Sequence, residues 1–253
     1  EPHVIVLDFH LVEDKDADIR DDKRLISGYR ALAKVLKGSY NKPLGSFGRQ
    51  VIIFTATSRI ENILLLKEGN ADGFILKEKP EKYQGKQITK DAISKMVATL
   101  ERALERAEFL IRLNGKINEL NATSLGIEPK LSDTIRAVSE SVRLITQSND
   151  INEGVLKLTY LNIFSILEYI KSSKKIKIND YIKVTAPNEI LKDWNNIDNV
   201  RNALAHGDKK VEIDNREQLL SIDLIKDWAL KLCDFIKAYL NHLIISEVND
   251  RHT

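Results

Sequence analysis

The chain has one cysteine, Cys233, so it forms no internal disulfide and holds no cysteine-cluster metal site. That usage agrees with a reducing cytoplasm. No uninterrupted apolar run approaches the ~18 residues a membrane span needs, and the acidic, polar first segment does not read as a signal peptide. Charge of one sign is missing too: 39 basic residues face 37 acidic ones, a formal balance of +2, so no global field marks a nucleic-acid binder. Any such role must rest on a local patch. Internal repeats and low-complexity tracts are also absent. What is left is a chain of 253 residues, 43% hydrophobic, that reads as soluble and cytoplasmic and is long enough to fold on its core alone.

Organisation changes along the chain. Residues 4–7, 51–54 and 73–76 are short β-branched or apolar runs of the kind that form buried parallel strands. Between them, 25–36 and 59–68 carry apolar residues at helical spacing, and 13–23 is an acidic, solvated loop. From residue 89 to about 120, Ile93, Val97, Leu100, Leu104, Ala107 and Ile111 alternate steps of four and three. Such a heptad seam predicts a long helix that either pairs with a copy of itself or packs on the first domain. Gly126 and Pro129 mark 121–130 as a linker.

Beyond the linker the chain reads as all helix. Ile135, Val138, Val142 and Ile145 form one stripe, and 155–170 is apolar on nearly every side, as in a central core helix. Pro187 suits the first turn of a third helix with Ile190, Leu191, Trp194, Ile197, Val200 and Leu204 inward and Gly207 as its C-cap. Asn215 with Gln218 resembles a capping box opening a last helix through Leu224, Trp228, Leu232, Phe235 and Tyr239. The expected division is therefore an α/β domain over 1–88, a connecting or dimerisation helix over 89–120, the linker 121–130, and an antiparallel four-helix bundle over 131–253.

One stretch of that bundle carries chemistry. Arg201, Asn202 and His206, followed by Gly207, bring a permanent cation, an amide and an imidazole within about one and a half helical turns. Arginine offers a planar fork to phosphate oxygens, and histidine carries a proton near neutral pH. Those are the two functions that transesterification of RNA needs, and no metal is required. Asn202 and His206 share a helix face, whereas Arg201 and His206 lie about 140° apart. The three converge only if the last turn unwinds toward Gly207 or the target lies in a groove beside the helix. The plain alternative is structural, since a cation at a helix C-terminus complements the dipole. Lys209 and Lys210, with Lys171, Lys174, Lys175, Lys177 and Lys183 ahead of the helix, would add phosphate attraction or simply solvate a loop.

The pattern Arg, Asn, three residues, His, Gly in the third helix of a C-terminal four-helix bundle resembles the HEPN superfamily, many of whose members are metal-independent endoribonucleases. The resemblance covers roughly 131–248. It implies an all-α four-helix bundle and a homodimer whose two motifs face each other to form a composite RNA-cleaving site. Carried over, Arg201 and His206 match the defining pair and Asn202 its frequent polar companion. His206 would act on the 2′-hydroxyl or the leaving 5′-oxygen, Arg201 would hold charge on the phosphate, and Asn202 would orient one or the other. The products would be a 2′,3′-cyclic phosphate and a 5′-hydroxyl, and cleavage would need no cofactor.

At the other end, VIVLDFHL over 4–11 resembles the phosphoacceptor strand of response-regulator receiver domains, with Asp8 at its end. VIIFTAT places Thr55, and ADGFILKE places Phe74 and Lys77, where a receiver has its signalling hydroxyl, switch aromatic and invariant lysine. The resemblance implies a partial flavodoxin-like α/β domain and a histidine kinase or other signalling partner. The match begins at what would be the third strand, without the acidic pair that holds Mg²⁺, and 13–50 is longer than a receiver's usual crossover. Mg²⁺ is thus expected only within a complete receiver. The chain is expected to be either a piece of a longer protein or a degenerate receiver used for contacts.

The leading expectation is an endoribonuclease regulated by a receiver-like domain, in a stress or phage-defence response. Against it stand a non-catalytic dimeric signalling module and an RNA- or nucleotide-binding regulator. Cleavage in EDTA separates the first from the others.

Overall fold

An apolar run without alternation has to be covered on both faces, and the run at Val51, Ile52 and Ile53 is: all three side chains are buried. It forms β2 (Gln50–Thr55), the middle strand of a parallel sheet between β1 (Val4–Phe9) and β3 (Gly73–Leu76). The register pairs Ile5 with Val51, Asp8 with Phe54 and Phe9 with Thr55, then Ile53 with Phe74 and Thr55 with Leu76. The computed structural model describes residues 3–9, 48, 50–55, 72–76, 86–125, 129–146, 151–174 and 188–250. The expected helices at 25–36 and 59–68, the loop at 13–23, and Pro187 lie outside the described residues.

Helix α1 (Lys86–Ser124) covers one face of this sheet. Met96, Leu100 and Ala103 pack with Ile52 and Ile75, and Val4 and Phe54 join the same cluster. The expected seam is thereby split. Ala107 is buried and Leu100 turns inward, whereas Ile93, Val97 and Leu104 remain 53%, 42% and 50% exposed. Of the two expected uses of the seam, packing on the first domain is the one that Leu100 and the buried Ala103 beside it serve. At Gly48, whose φ is +97°, the chain comes so near α1 that a Cβ would sit 2.8 Å from the Ile111 nitrogen. Asp72 fastens the sheet's edge. Its carboxylate accepts from the Val51 N–H at 2.7 Å and lies 3.8 Å from Arg106 of α1.

The chain divides into two compact units, Glu1–Ile111 and Arg112–Thr253, with the boundary inside α1. In the second unit the remainder of α1 is joined by α2 (Pro129–Thr146), α3 (Glu153–Lys174), α4 (Asn188–His206) and α5 (Ile222–Asp250). Ser139 donates to Asn121, and Lys237 pairs with Glu119 at 2.8 Å while Lys116 pairs with Asp234, so α1 is held to α2 and to α5. Asn152 caps α3 by accepting from the Val155 N–H at 3.0 Å. Central α3 buries Leu156, Tyr160, Ile163, Phe164, Leu167 and Ile170 and contacts α2, α4 and α5. No helix among the described residues is long and apolar enough to cross a membrane.

The expectation of helix alone after the linker is corrected by a β-hairpin, β4 (Lys210–Ile213) and β5 (Arg216–Leu219), between α4 and α5. Asp214 and Asn215 hold φ values of 54° and 58°, the two left-handed residues of a type I′ turn. Asn215 and Gln218 therefore belong to the hairpin and not to a capping box. The cap of α5 is Ser221, whose hydroxyl accepts from the Leu224 N–H at 3.2 Å.

Candidate functional site

The site is built on the last turns of α4. Trp194, Ile197, Val200 and Leu204 turn into the bundle, as their helical spacing predicts, and leave Asp198, Arg201, Asn202 and His206 on the outer side. The helix does not unwind before His206. Gly207 adopts φ +77° and Asp208 donates its N–H to the Ala203 carbonyl at 2.9 Å, a Schellman closure that makes His206 the last helical residue.

Arg201 is held on three sides. Its guanidinium donates to Asn202 Oδ1 at 2.9 Å and to Glu168 Oε1 of α3 at 3.0 Å, and it lies 5.6 Å from the centroid of the Phe164 ring. Phe164 in turn stacks on Trp194, and Trp194 on Phe235, at 6.4 and 5.4 Å between centroids. The cation thus rests on a buried aromatic ladder, and among the described residues two of its donors are engaged. Asn202 faces the other way with its amide, donating to Asp198 Oδ2 at 3.4 Å. Asp198, Asn202 and His206 follow one another at four-residue intervals along one helix face.

His206 is exposed and has no hydrogen-bond or ion-pair partner among the described residues. Arg201 and His206 are not brought together within one chain: five residues of intact helix keep them about 140° apart. Of the lysines, Lys209 is exposed, while Lys210 is engaged with Glu217 at 2.6 Å. Lys171 lies over the Trp194 ring at 4.7 Å; Lys175, Lys177 and Lys183 fall outside the described residues. The hairpin that follows is pinned to α4. Buried Asn196 donates to the Asp214 carboxylate at 2.9 Å and accepts from the Asp214 N–H at 3.0 Å, and Asn199 donates to the Glu212 carbonyl at 2.9 Å.

Glu168 and Asp198 are the functional candidates that the sequence reading passed over. Asp198 was legible in principle, four residues before Asn202 on the same face. Glu168, 33 residues from Arg201 on another helix, had no local signal.

In the first unit, Asp8 is the last residue but one of β1, opposite Phe54, Thr55 ends the adjacent parallel strand, and Phe74 lies mid-strand in β3, in register with Ile53. Lys77 lies outside the described residues. Among the described residues no three His, Cys, Asp or Glu side chains are placed to hold a metal ion. Compared with models of protein families, with curated proteins and with solved structures, the chain matches none.

Proposed function

We propose that this chain is a metal-independent endoribonuclease of HEPN type, acting as a homodimer and regulated by its receiver-like α/β unit. The observation that supports the reading is the end of α4, where a guanidinium held by Asn202, Glu168 and Phe164 shares a helix terminus with an exposed imidazole that has no partner among the described residues. Arg201 would take the non-bridging oxygens of one phosphodiester. The neighbouring 2′-oxygen attacks phosphorus as His206 accepts its proton or protonates the departing 5′-oxygen, which leaves a 2′,3′-cyclic phosphate and a 5′-hydroxyl. Because one straight helix separates the two groups, a second copy would complete each site. Stress or phage defence is the setting the family analogy suggests, with a histidine kinase or another signalling partner upstream.

A second reading has one observation in its favour: Arg201 is already paired with Glu168, as in a structural or purely RNA-binding bundle. A labelled RNA incubated with the protein in EDTA decides between them. The ribonuclease reading expects cleavage that drops about 10²–10⁴-fold in His206→Ala and is also lost in Arg201→Ala, both variants keeping the parental circular dichroism. Binding without product, weakened in Arg201→Ala, would establish the second reading instead.

A further inference from the structure

The outer face of α4 holds one carboxylate that the cleavage reading leaves without a role. Asp198 stands about one turn before Asn202 and two before His206 along the same face, and it is half-buried. Among the described residues its one hydrogen bond comes from Asn202, whose Nδ2 donates to Asp198 Oδ2 at 3.4 Å. The other end of the same amide is turned to Arg201, whose Nη1 donates to Asn202 Oδ1 at 2.9 Å. Carboxylate, amide and guanidinium thus form one chain, and among the described residues no hydrogen bond joins it to His206.

Chemistry sets the order of that chain. Turned over, the Asn202 amide would set its NH2 group against the guanidinium donors and its oxygen against the carboxylate, and both contacts would repel. An ionised carboxylate only accepts, so Asp198 selects the orientation in which Asn202 offers its oxygen to Arg201. At its second nitrogen, Nη2, Arg201 is held by Glu168 at 3.0 Å, with the Phe164 ring 5.6 Å away. That bond alone would leave the guanidinium free to swing about Glu168. The bond from Nη1 to Asn202 fixes where the fork points.

We infer that Asp198 is a positioning residue for Arg201, acting through Asn202, and that Asn202 serves the guanidinium and not the imidazole. The inference rests on phosphate binding by Arg201, which the ribonuclease reading and the binding-only reading share.

Affinity for a labelled single-stranded RNA tests it, with every chain carrying His206→Ala so that the RNA stays intact. Asp198→Asn and Asp198→Ala remove the same charge, but only the asparagine keeps an oxygen to accept from Asn202. The alanine variant should therefore bind about 2- to 12-fold more weakly than the asparagine variant, the equivalent of one hydrogen bond, with the circular dichroism of both unchanged. In an Arg201→Ala background, at low salt where residual binding is measurable, the two should bind alike. Equal affinities in the first pair, or a difference that persists without Arg201, would overturn this inference alone. RNA binding that Arg201→Ala leaves unchanged would overturn both it and the reading on which it rests.

Discussion

Glu168 and a substrate phosphate would compete for the same guanidinium, so the residue that steadies Arg201 also opposes its use. Replacing Glu168 by Gln keeps a hydrogen-bond acceptor and removes the charge. A half-exposed ion pair contributes about 0.2–1 kcal/mol, so RNA affinity should rise roughly 1.5- to 5-fold, read by anisotropy of a labelled RNA. Unchanged or weaker binding would mean that Glu168 does not oppose the ligand.

Cys233 offers a sharper residue-scale test. It is buried in α5, and burial, helped by neighbouring Asp234, pushes its thiol up to about 12. A thiolate is the reactive form, so the folded chain should leave a thiol reagent unreacted at neutral pH and release its one equivalent only on denaturation. Asp72 gives a pH signature. Burial raises its carboxyl above the ordinary range in spite of the Val51 N–H and Arg106, which lower it. As pH rises from that range through the raised value, the unfolded chain gives up its proton first, so the folded state loses stability there. Denaturant unfolding across this interval should show the parent losing stability relative to Asp72→Asn; a difference independent of pH would contradict the burial argument.

At the scale of elements, the hairpin is the piece most exposed to a single change. Asn196→Ala removes the side chain that both donates to and accepts from Asp214, and it should cost about 1–3 kcal/mol in denaturant unfolding while loosening β4 from α4. A loss within a few tenths of a kcal/mol would show that the turn holds itself. The same hairpin marks where the sequence was least legible. Its strands are four residues each, rich in charge, and its turn is Asp-Asn without glycine, so Asn215 and Gln218 imitated a helix start. By contrast, Trp194, Ile197, Val200 and Leu204 in α4, and Trp228, Leu232, Phe235 and Tyr239 in α5, were readable because whole helices bury one face and the 3.6-residue period survives. The α1 seam lay between these cases. Its period was legible, but which part of it met the sheet was not, because Met96 and Ala103, outside the seam, share that face with Leu100.

For the molecule as a whole, the division inside α1 matters because one helix serves both units, its first part on the sheet and its end in the bundle. Assembly is where site and scaffold meet. If each cleavage site takes Arg201 from one chain and His206 from the other, co-expressed Arg201→Ala and His206→Ala chains form mixed dimers with one intact site. Random pairing should then restore about a quarter of parental activity, whereas no restoration would place both groups of a site in one chain. The parallel strands were visible in the sequence, as was the placement of Arg201, Asn202 and His206 on one helix that ends at Gly207. The partners that position Arg201 were not, because contacts across helices leave no local spacing.

The most direct test of the ribonuclease reading is the chemistry of the ends it leaves. In EDTA the purified chain should cut an RNA to 2′,3′-cyclic phosphate and 5′-hydroxyl ends, and a single 2′-deoxy substitution at the scissile nucleotide should abolish that cut. Intact RNA after incubation with the dimer, or products bearing 5′-phosphates, would contradict it.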